Sequence, residues 1–217
     1  MISIEQAREA ILNKIKPLPS EKLFLDQSLG RYLAQDVYSE RNIPPWDNSA
    51  MDGFAVHTED LAAGEGRLGI AYEIPAGALP QGPFEKGTAV KIMTGAPVPP
   101  GADAVVKRED TDEREGEVIV RKAPAPGENI RASGEDLRAG ELVLQAGIRL
   151  APAQLGLLAS IRQVMVPCSQ RPVVAIIATG DEVADFDEEL TENKISSSNS
   201  YTLKALVEEA GAIPLYL

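Results

Sequence analysis

Two residue types that often carry chemistry or hold small folds together are almost absent from this sequence. Its 217 residues include one cysteine, Cys168, and one histidine, His57. A lone thiol cannot form an intramolecular disulfide, and a lone histidine with no cysteine or histidine near it in sequence makes a poor zinc ligand. The fold therefore does not depend on disulfides. We interpret Cys168 as a structural thiol rather than a nucleophile, and we expect no metal at His57.

Long apolar runs and positive charge are also scarce. Charged residues interrupt the first fifteen positions, which excludes the hydrophobic core of a signal peptide, and no later run is long enough to span a bilayer. The formal net charge is -12, and the basic residues are scattered. We therefore expect neither nucleic acid nor a membrane as a partner, and we expect a cytoplasmic protein. Any anionic substrate needs a local cation.

The first third of the chain contains signals for helices and for a break. Ser3 and Gln6 form a capping-box pattern, and they are followed by apolar residues at helical spacing: Ile4, Ala7, Ile11 and Ile15. This pattern predicts an N-terminal amphipathic helix, which Pro17 and Pro19 stop. A second short helix is predicted from about Ser28 to Ala34. An extended stretch over residues 37–40 and a break at Pro44-Pro45 follow.

The middle of the chain has the pattern of a β-rich lobe. Between residues 55 and 120, short apolar runs alternate with Gly, Pro and acidic turns. The strongly acidic segment 111–116 is interpreted as a solvated hairpin tip. Beyond it we predict an extended pair, 142–144 with 148–150, and then a helix that Pro152 begins.

The last part changes to continuous apolar runs, 173–178 and 213–217, which flank a predicted helix over residues 199–210. Pro167 and Pro172 are expected to bound a connector before it. This order is typical of a βαβ unit in a covered parallel sheet. Two strands and one helix leave much of such a sheet bare. We therefore expect the chain to stop inside a further domain and to be inactive alone.

Four segments are candidates for chemistry. In Asp47–Gly53, Gly53 is expected to permit a tight backbone that presents Asp52, although a turn with Asx-type hydrogen bonds is the better interpretation from physics alone. In Lys91–Pro99, Thr94 is a possible donor to an oxyanion, and again a turn is the alternative. Residues 127–131 and 134–136 carry a second set of charges on a loop.

The fourth segment, Thr179–Glu182, follows the carboxyl end of a predicted parallel strand, which is where ligands bind in α/β sheets. A functional role and a packing role explain Asp181 and Glu182 about equally well. Residues 196–199 open the next helix, where they are expected to supply an N-cap and offer an anion site.

Taken in order, the strings DNSAMDG, KIMTGAPVP, GENIR with GED, and ATGDE resemble the MoeA family of molybdopterin molybdenumtransferases, whose eukaryotic relative is the C-terminal domain of gephyrin. The resemblance covers essentially the whole chain. It implies an enzyme of molybdenum cofactor biosynthesis that takes adenylated molybdopterin and molybdate as substrates, uses Mg²⁺, and releases AMP. The alternative is a non-catalytic, gephyrin-like scaffold or protein-binding module.

The resemblance also implies an α+β multidomain fold. A β-rich lobe, residues 46–138, is inserted in an elongated α/β linker domain, residues 1–45 and 139–170. The start of a three-layer α/β molybdopterin-binding domain follows, with residues 171–217 as its first βαβ unit. The N-terminal helix belongs to the linker domain or packs on the third domain. A homodimer and contact with the molybdopterin adenylyltransferase are implied as well.

The site residues are assigned by matching motifs. Catalytic carboxylates are expected at Asp52, Asp136 and Glu182, with Asp136 and Glu182 on the side of the metal and Asp52 facing the molybdate or the phosphate bond. Substrate-binding positions are expected at Thr94, Ser198 and Asn199.

Overall fold

A computed structural model of the chain describes residues 2–180, 182–185 and 188–216. The chain is mostly β-structure with few helices and has two compact units, residues 1–37 with 142–217 and residues 38–141. The helices of the described part are α1 (Ile4–Leu12), α2 (Pro152–Ser160) and α3 (Ser198–Glu209). Its strands are β1 (Ser20–Phe24), β2 (Val37–Tyr38), β3 (Asn48–Ser49), β4 (Gly53–Val56), β5 (Gly66–Ile74), β6 (Thr88–Ile92), β7 (Ala104–Lys107), β8 (Thr111–Arg114), β9 (Glu117–Val120), β10 (Ile130–Arg131), β11 (Leu142–Leu144), β12 (Met165–Ser169), β13 (Val173–Ile176), β14 (Val183–Ala184), β15 (Ile195–Ser196) and β16 (Ile213–Tyr216). The expected division into three domains stays a prediction.

The unit of residues 38–141 is built on one six-stranded sheet, in the order β7-β4-β6-β5-β9-β8. Strands β5 and β6 are parallel, and every other neighbouring pair is antiparallel. Alternate residues of β4 enter two different buried clusters, Phe54 and Val56 on one side and Ala55 on the other. Both faces of this interior strand are therefore covered, and the prediction that this part of the chain is rich in β-structure is confirmed.

The acidic segment is a hairpin, as predicted. Strands β8 and β9 pair in antiparallel register with Arg114 opposite Glu117, so the turn falls at Glu115 and Gly116. Gly116 has φ +75°, a conformation that glycine adopts without steric cost. Apart from Thr111, the residues of β8 are exposed, so the acidic side chains remain in water.

The other unit contains the two predicted helices that are easiest to explain. In α1 the capping box is complete, because the Gln6 amide donates to Ser3 Oγ and the Ser3 amide donates to Gln6 Oε1. Helix α2 begins with Pro152 at its first position, where the missing N–H has no partner to lose. Strands β13 and β16 are parallel, and α3 connects them, which confirms the βαβ unit.

Three sequence-based predictions for this unit are wrong. Residues 28–34 are not helical, because Gly30 has φ +75° and the Leu33 amide donates to the Ile148 carbonyl. That contact also explains why residues 148–150 do not pair with 142–144. The expected connector between Pro167 and Pro172 contains β12, which pairs with β1 in spite of Pro167.

Gly53 has a different role from the one the sequence suggested. It does not form a turn but begins β4, opposite Lys107 of β7. A β-carbon at this position would lie 1.9 Å from the Val106 carbonyl oxygen. The residue is glycine because the neighbouring backbone approaches too closely for any side chain.

We predict that Gly53→Ala lowers the free energy of unfolding by at least about 3 kcal/mol, because the backbone of β7 must move to admit the methyl group. Gly69→Ala, in β5 of the same sheet, is the matched control, since its β-carbon would meet Thr88 Cγ2 at 3.7 Å, an ordinary contact. Denaturant titration measures both. Equal stabilities of the two variants would contradict the close approach.

Candidate functional site

Backbone hydrogen bonds bring three of the four sequence motifs together in the unit of residues 38–141. Strand β3 pairs antiparallel with β10, so Asn48 lies opposite Arg131. On another side of the same segment, Gly95 N donates to the Ser49 carbonyl at 2.8 Å, and Ser49 N donates to the Ala96 carbonyl at 3.0 Å. Residues 47–49 therefore lie between the threonine-bearing loop and the charged loop.

The sheet topology explains how Asp52 meets Thr94. Asp52 immediately precedes β4, and Thr94 follows β6, whose Ile92 is opposite Gly53. Because the two strands are antiparallel, the start of one lies beside the end of the other. Asp52 Oδ1 accepts hydrogen bonds from Thr94 N at 2.8 Å and from Thr94 Oγ1 at 2.7 Å.

These contacts set the charge of Asp52. The Thr94 backbone N–H lowers the pKa of this carboxyl most, the Thr94 hydroxyl lowers it further, and the positive charge of Arg108 adds a smaller effect in the same direction. Partial loss of hydration opposes them. Asp52 is therefore an exposed, ionised carboxylate whose orientation is fixed at one oxygen. The hydroxyl of Thr94, expected to bind substrate, donates to Asp52 in this arrangement.

Asp136 has a partner that the sequence did not lead us to assign. Arg131 Nη2 donates to Asp136 Oδ2 at 2.7 Å, and Arg131 Nε donates to Glu135 Oε1 at 2.7 Å. The hydrogen bond that Arg131 donates to Glu135 is the main cause that raises the pKa of Arg131 and the main cause that lowers the pKa of Glu135. The sequence did contain one hint of these contacts, because Arg131 stands four positions before Glu135 and five positions before Asp136 on the same loop.

The remaining residues of the Asp47–Gly53 segment hold it in place. Asp47 Oδ1 accepts from the Ser133 amide at 2.7 Å, and the Ser49 hydroxyl donates to the Met51 carbonyl. The Asn48 side chain is buried, and its Oδ1 has no hydrogen-bond partner in the part of the chain that the structure describes. A local turn is therefore present at Ser49 and Met51, but a serine rather than an Asx side chain closes it, and Asp47 bonds 86 residues away along the chain.

The fourth motif lies in the unit of residues 1–37 and 142–217. A cavity of about 310 Å³ opens beyond the carboxyl end of β13, and its lining includes Thr179, Ser198 and Asn199. Helix α3 begins at Ser198 with Ser197 as N-cap residue, but the expected capping bond is not made. The Ser197 hydroxyl pairs instead with that of Ser200, so the backbone N–H groups of the first turn lack this side-chain acceptor.

Glu182 lies next to this cavity in sequence but does not line it. Gly180 has φ +139°, and a β-carbon there would lie 2.8 Å from Glu182 Oε1, so the carboxylate folds over the glycine. The backbone of Glu182 accepts from the Ile195 amide, which ties it to β15. Asp181, also in this motif, is outside the described residues. The functional role of Glu182 stays a prediction.

The two residues interpreted as structural at the outset have packing roles. The His57 ring stacks on Phe84 with centroids 4.4 Å apart, and Gly101 lies against its edge. Cys168 is buried in β12, and burial raises the pKa of its thiol. A raised pKa disfavours the nucleophilic thiolate, in agreement with the structural interpretation.

The number of carboxylates that lie together limits the kind of metal site that these residues can form. Within residues 2–180, 182–185 and 188–216, no three His, Cys, Asp or Glu side chains are grouped as a metal cluster. Mg²⁺ usually binds proteins through one or two carboxylates and completes its shell with water and phosphate oxygens. The residues present fit a magnesium ion that is shared with a phosphate-bearing substrate, and they do not fit a site made of protein ligands alone. Among the helices of the described chain, none has the length and apolarity to cross a bilayer.

Comparison with known sequences identifies the class of protein. The family described as "MoeA N-terminal region (domain I and II)" matches residues 2–161, so the chain belongs to this family. The match includes Asp52, Thr94, Arg131 and Asp136. It ends before the cavity at the start of α3.

Individual relatives agree with this assignment. The chain is 37% identical over 214 residues to the molybdopterin molybdenumtransferase of Staphylococcus epidermidis, and 38% identical over 227 residues to that of Bacillus subtilis. These alignments cover 97% and 100% of the chain but 51% and 52% of the relatives. The chain therefore spans about half the length of the curated relatives it matches.

A solved structure has the same fold. The crystal structure of the molybdopterin biosynthesis MoeA protein from Pyrococcus horikoshii is 34% identical and superposes with a TM-score of 0.91. That alignment covers 100% of this chain and 59% of the other.

We predict that Thr94→Val raises the pKa of Asp52, because the hydroxyl bond is lost, while the stronger backbone bond keeps the pKa below its ordinary range. Thr94→Ser keeps the hydroxyl and leaves the titration unchanged. Carboxyl-carbon NMR against pH measures this directly. Thr58→Val is the control, since Thr58 makes the same pair of bonds to Asp103. An unaltered Asp52 titration in Thr94→Val contradicts the assignment.

Proposed function

We propose that the protein carrying this sequence is a molybdopterin molybdenumtransferase. Such an enzyme hydrolyses adenylated molybdopterin, releases AMP and inserts molybdate into the dithiolene. The convergence of Asp52, Thr94, Arg131 and Asp136 in one unit supports this proposal most strongly. The names of the relatives support it independently.

Asp52 acts in this proposal as an oriented charge rather than as a proton acceptor. A general base works best when its pKa lies near the operating pH, and the contacts from Thr94 move Asp52 away from that condition. An ionised carboxylate held at Oδ1 orients the attacking water, or faces the incoming molybdate across a bound cation. Thr94 is then a residue that fixes the carboxylate as well as one near the substrate.

Asp136 and Glu182 are the carboxylates proposed for the side of the metal. When bound, Mg²⁺ would polarise the pyrophosphate and offset charge on the leaving phosphate. Asp136 holds Arg131 through Oδ2, which keeps a positive charge next to this carboxylate. Asp136 and Arg131 therefore place a negative and a positive charge side by side, in a chain whose net negative charge would otherwise repel anionic substrates.

The cavity at α3 is proposed to receive the phosphate end of the molybdopterin. Helix N-termini bind anions through their backbone N–H groups and their dipole. Ser198 and Asn199 line the cavity, and no Ser197 side-chain bond caps the first turn. This arrangement supports substrate binding by Ser198 and Asn199.

The remaining elements of the proposal follow from the family. They are the three-domain arrangement, a cytoplasmic homodimer, and receipt of adenylated molybdopterin from the adenylyltransferase. The apolar residues of α1 are consistent with a dimer or with packing on another domain, because Ile4, Ile11 and Leu12 are more than half exposed.

The test is release of AMP from adenylated molybdopterin by the protein that carries this sequence. Asp52→Asn removes the charge but not the shape, and we expect it to slow release by roughly 10²-fold, the scale of losing one preorganised electrostatic contact. Asp103→Asn is the matched control, since Asp103 also accepts from a threonine amide and hydroxyl, with one bond at each of its two oxygens.

Equal rates of AMP release for the wild type, Asp52→Asn and Asp103→Asn would contradict the role of Asp52. Absence of release from the wild type, combined with tight capture of a peptide partner, would favour the non-catalytic scaffold.

A further inference from the structure

Arg131 joins two acidic residues of the charged loop. Its Nε and Nη2 bonds to Glu135 and Asp136 are both 2.7 Å. In this state one positive charge faces two negative charges, so the loop repels anions. An oxyanion can take the Nη2–H that bonds to Asp136 only if this carboxylate withdraws.

The two carboxylates are not held equally. Glu135 has a second anchor, because its Oε2 accepts from the Ala132 amide at 2.9 Å. Among the described residues Asp136 has no such bond to the backbone, and its side chain is 54% exposed against 38% for Glu135. Exposed ion pairs contribute little to stability, so the Asp136 contact is easily exchanged.

We infer that Arg131 is an oxyanion receptor, in which Glu135 is the positioning residue that holds Nε and Asp136 is the partner that exchanges for the oxyanion at Nη2. Guanidinium groups bind oxyanions through paired N–H donors in a fixed plane, so fixing Nε orients the rest of the fork. This inference rests on the proposed function for its ligand class, a phosphate group or molybdate.

The experiment follows the ¹⁵N signal of the Arg131 Nε–H in this chain, assigned by its loss in Arg131→Lys. AMP is titrated in one arm and molybdate in the other, which distinguishes a phosphate ester from a metal oxyanion. A saturable shift in at least one arm is expected for the wild type. No saturable shift in either arm overturns the inference.

Substitutions of Asp136 and Glu135 separate the effect of a carboxylate's charge from its effect on the position of Arg131. Asp136→Asn is expected to lower Kd about two- to fivefold, the worth of one exposed ion pair. At position 135, Gln and Ala are equally neutral, but only Gln can still accept from Nε. We therefore expect Glu135→Gln to bind the oxyanion more tightly than Glu135→Ala.

Glu128 provides the matched control, because its Oε2 accepts from the Ala125 amide at 2.8 Å and it forms no ion pair among the described residues. Glu128→Gln and Glu128→Ala are expected to bind equally. Equal binding by the two Glu135 variants, or weaker binding by Asp136→Asn, overturns the inference. This assay requires no turnover, so its failure leaves the AMP-release test standing, and loss of AMP release leaves the binding result standing.

Discussion

The short strand β3 is the structural constraint on which the candidate site depends. It has a partner on each side, with β10 along one edge and residues 95–98 along the other. Asp47 adds a side-chain bond to the Ser133 amide, and Gly53 allows β4 to start against the backbone of β7. Remote parts of the sequence are thereby fixed within one region by the fold itself, which is the preorganisation that charged sites require.

Electrostatics explains why the region contains both acids and a cation. The substrates proposed for this protein are anions, and the chain carries a net charge of -12. Asp52 keeps its charge through the hydrogen bonds from Thr94, whereas Asp136 is paired with Arg131. Two acids of similar exposure are therefore placed in different environments, one as a fixed negative charge and one as part of an ion pair.

The sequence predicted those parts of the fold in which local signals agree with the tertiary structure. The capping box of Ser3, the proline that begins α2 and the continuous apolar runs of β13 and β16 all formed as expected. Residues 28–34 did not form the predicted helix, because backbone hydrogen bonds with residues far along the chain outweighed the local helical preference. Strand β12 was missed because Pro167 signals a break in a sequence window, whereas in the fold its carbonyl still accepts from the Ala34 amide and its neighbours pair with β1.

The sequence offered candidate residues for the site but not the contacts between them. Motif order identified Asp52, Thr94 and Asp136 as candidates. Nothing in the sequence paired Asp52 with Thr94 or Arg131 with Asp136, since each pair depends on strand register or loop conformation. Gly53 shows the same limit. A glycine is required there because the backbone at Val106, 53 residues away along the chain, approaches closely, and no local sequence pattern reveals that approach.

Hydrogen–deuterium exchange of the protein that carries this sequence, with and without adenylated molybdopterin, tests most directly whether these motifs form one site. The account predicts that binding slows amide exchange together in residues 47–52, 94–98 and 129–136. Slowed exchange confined to other segments, or none at all at saturating ligand, would contradict it.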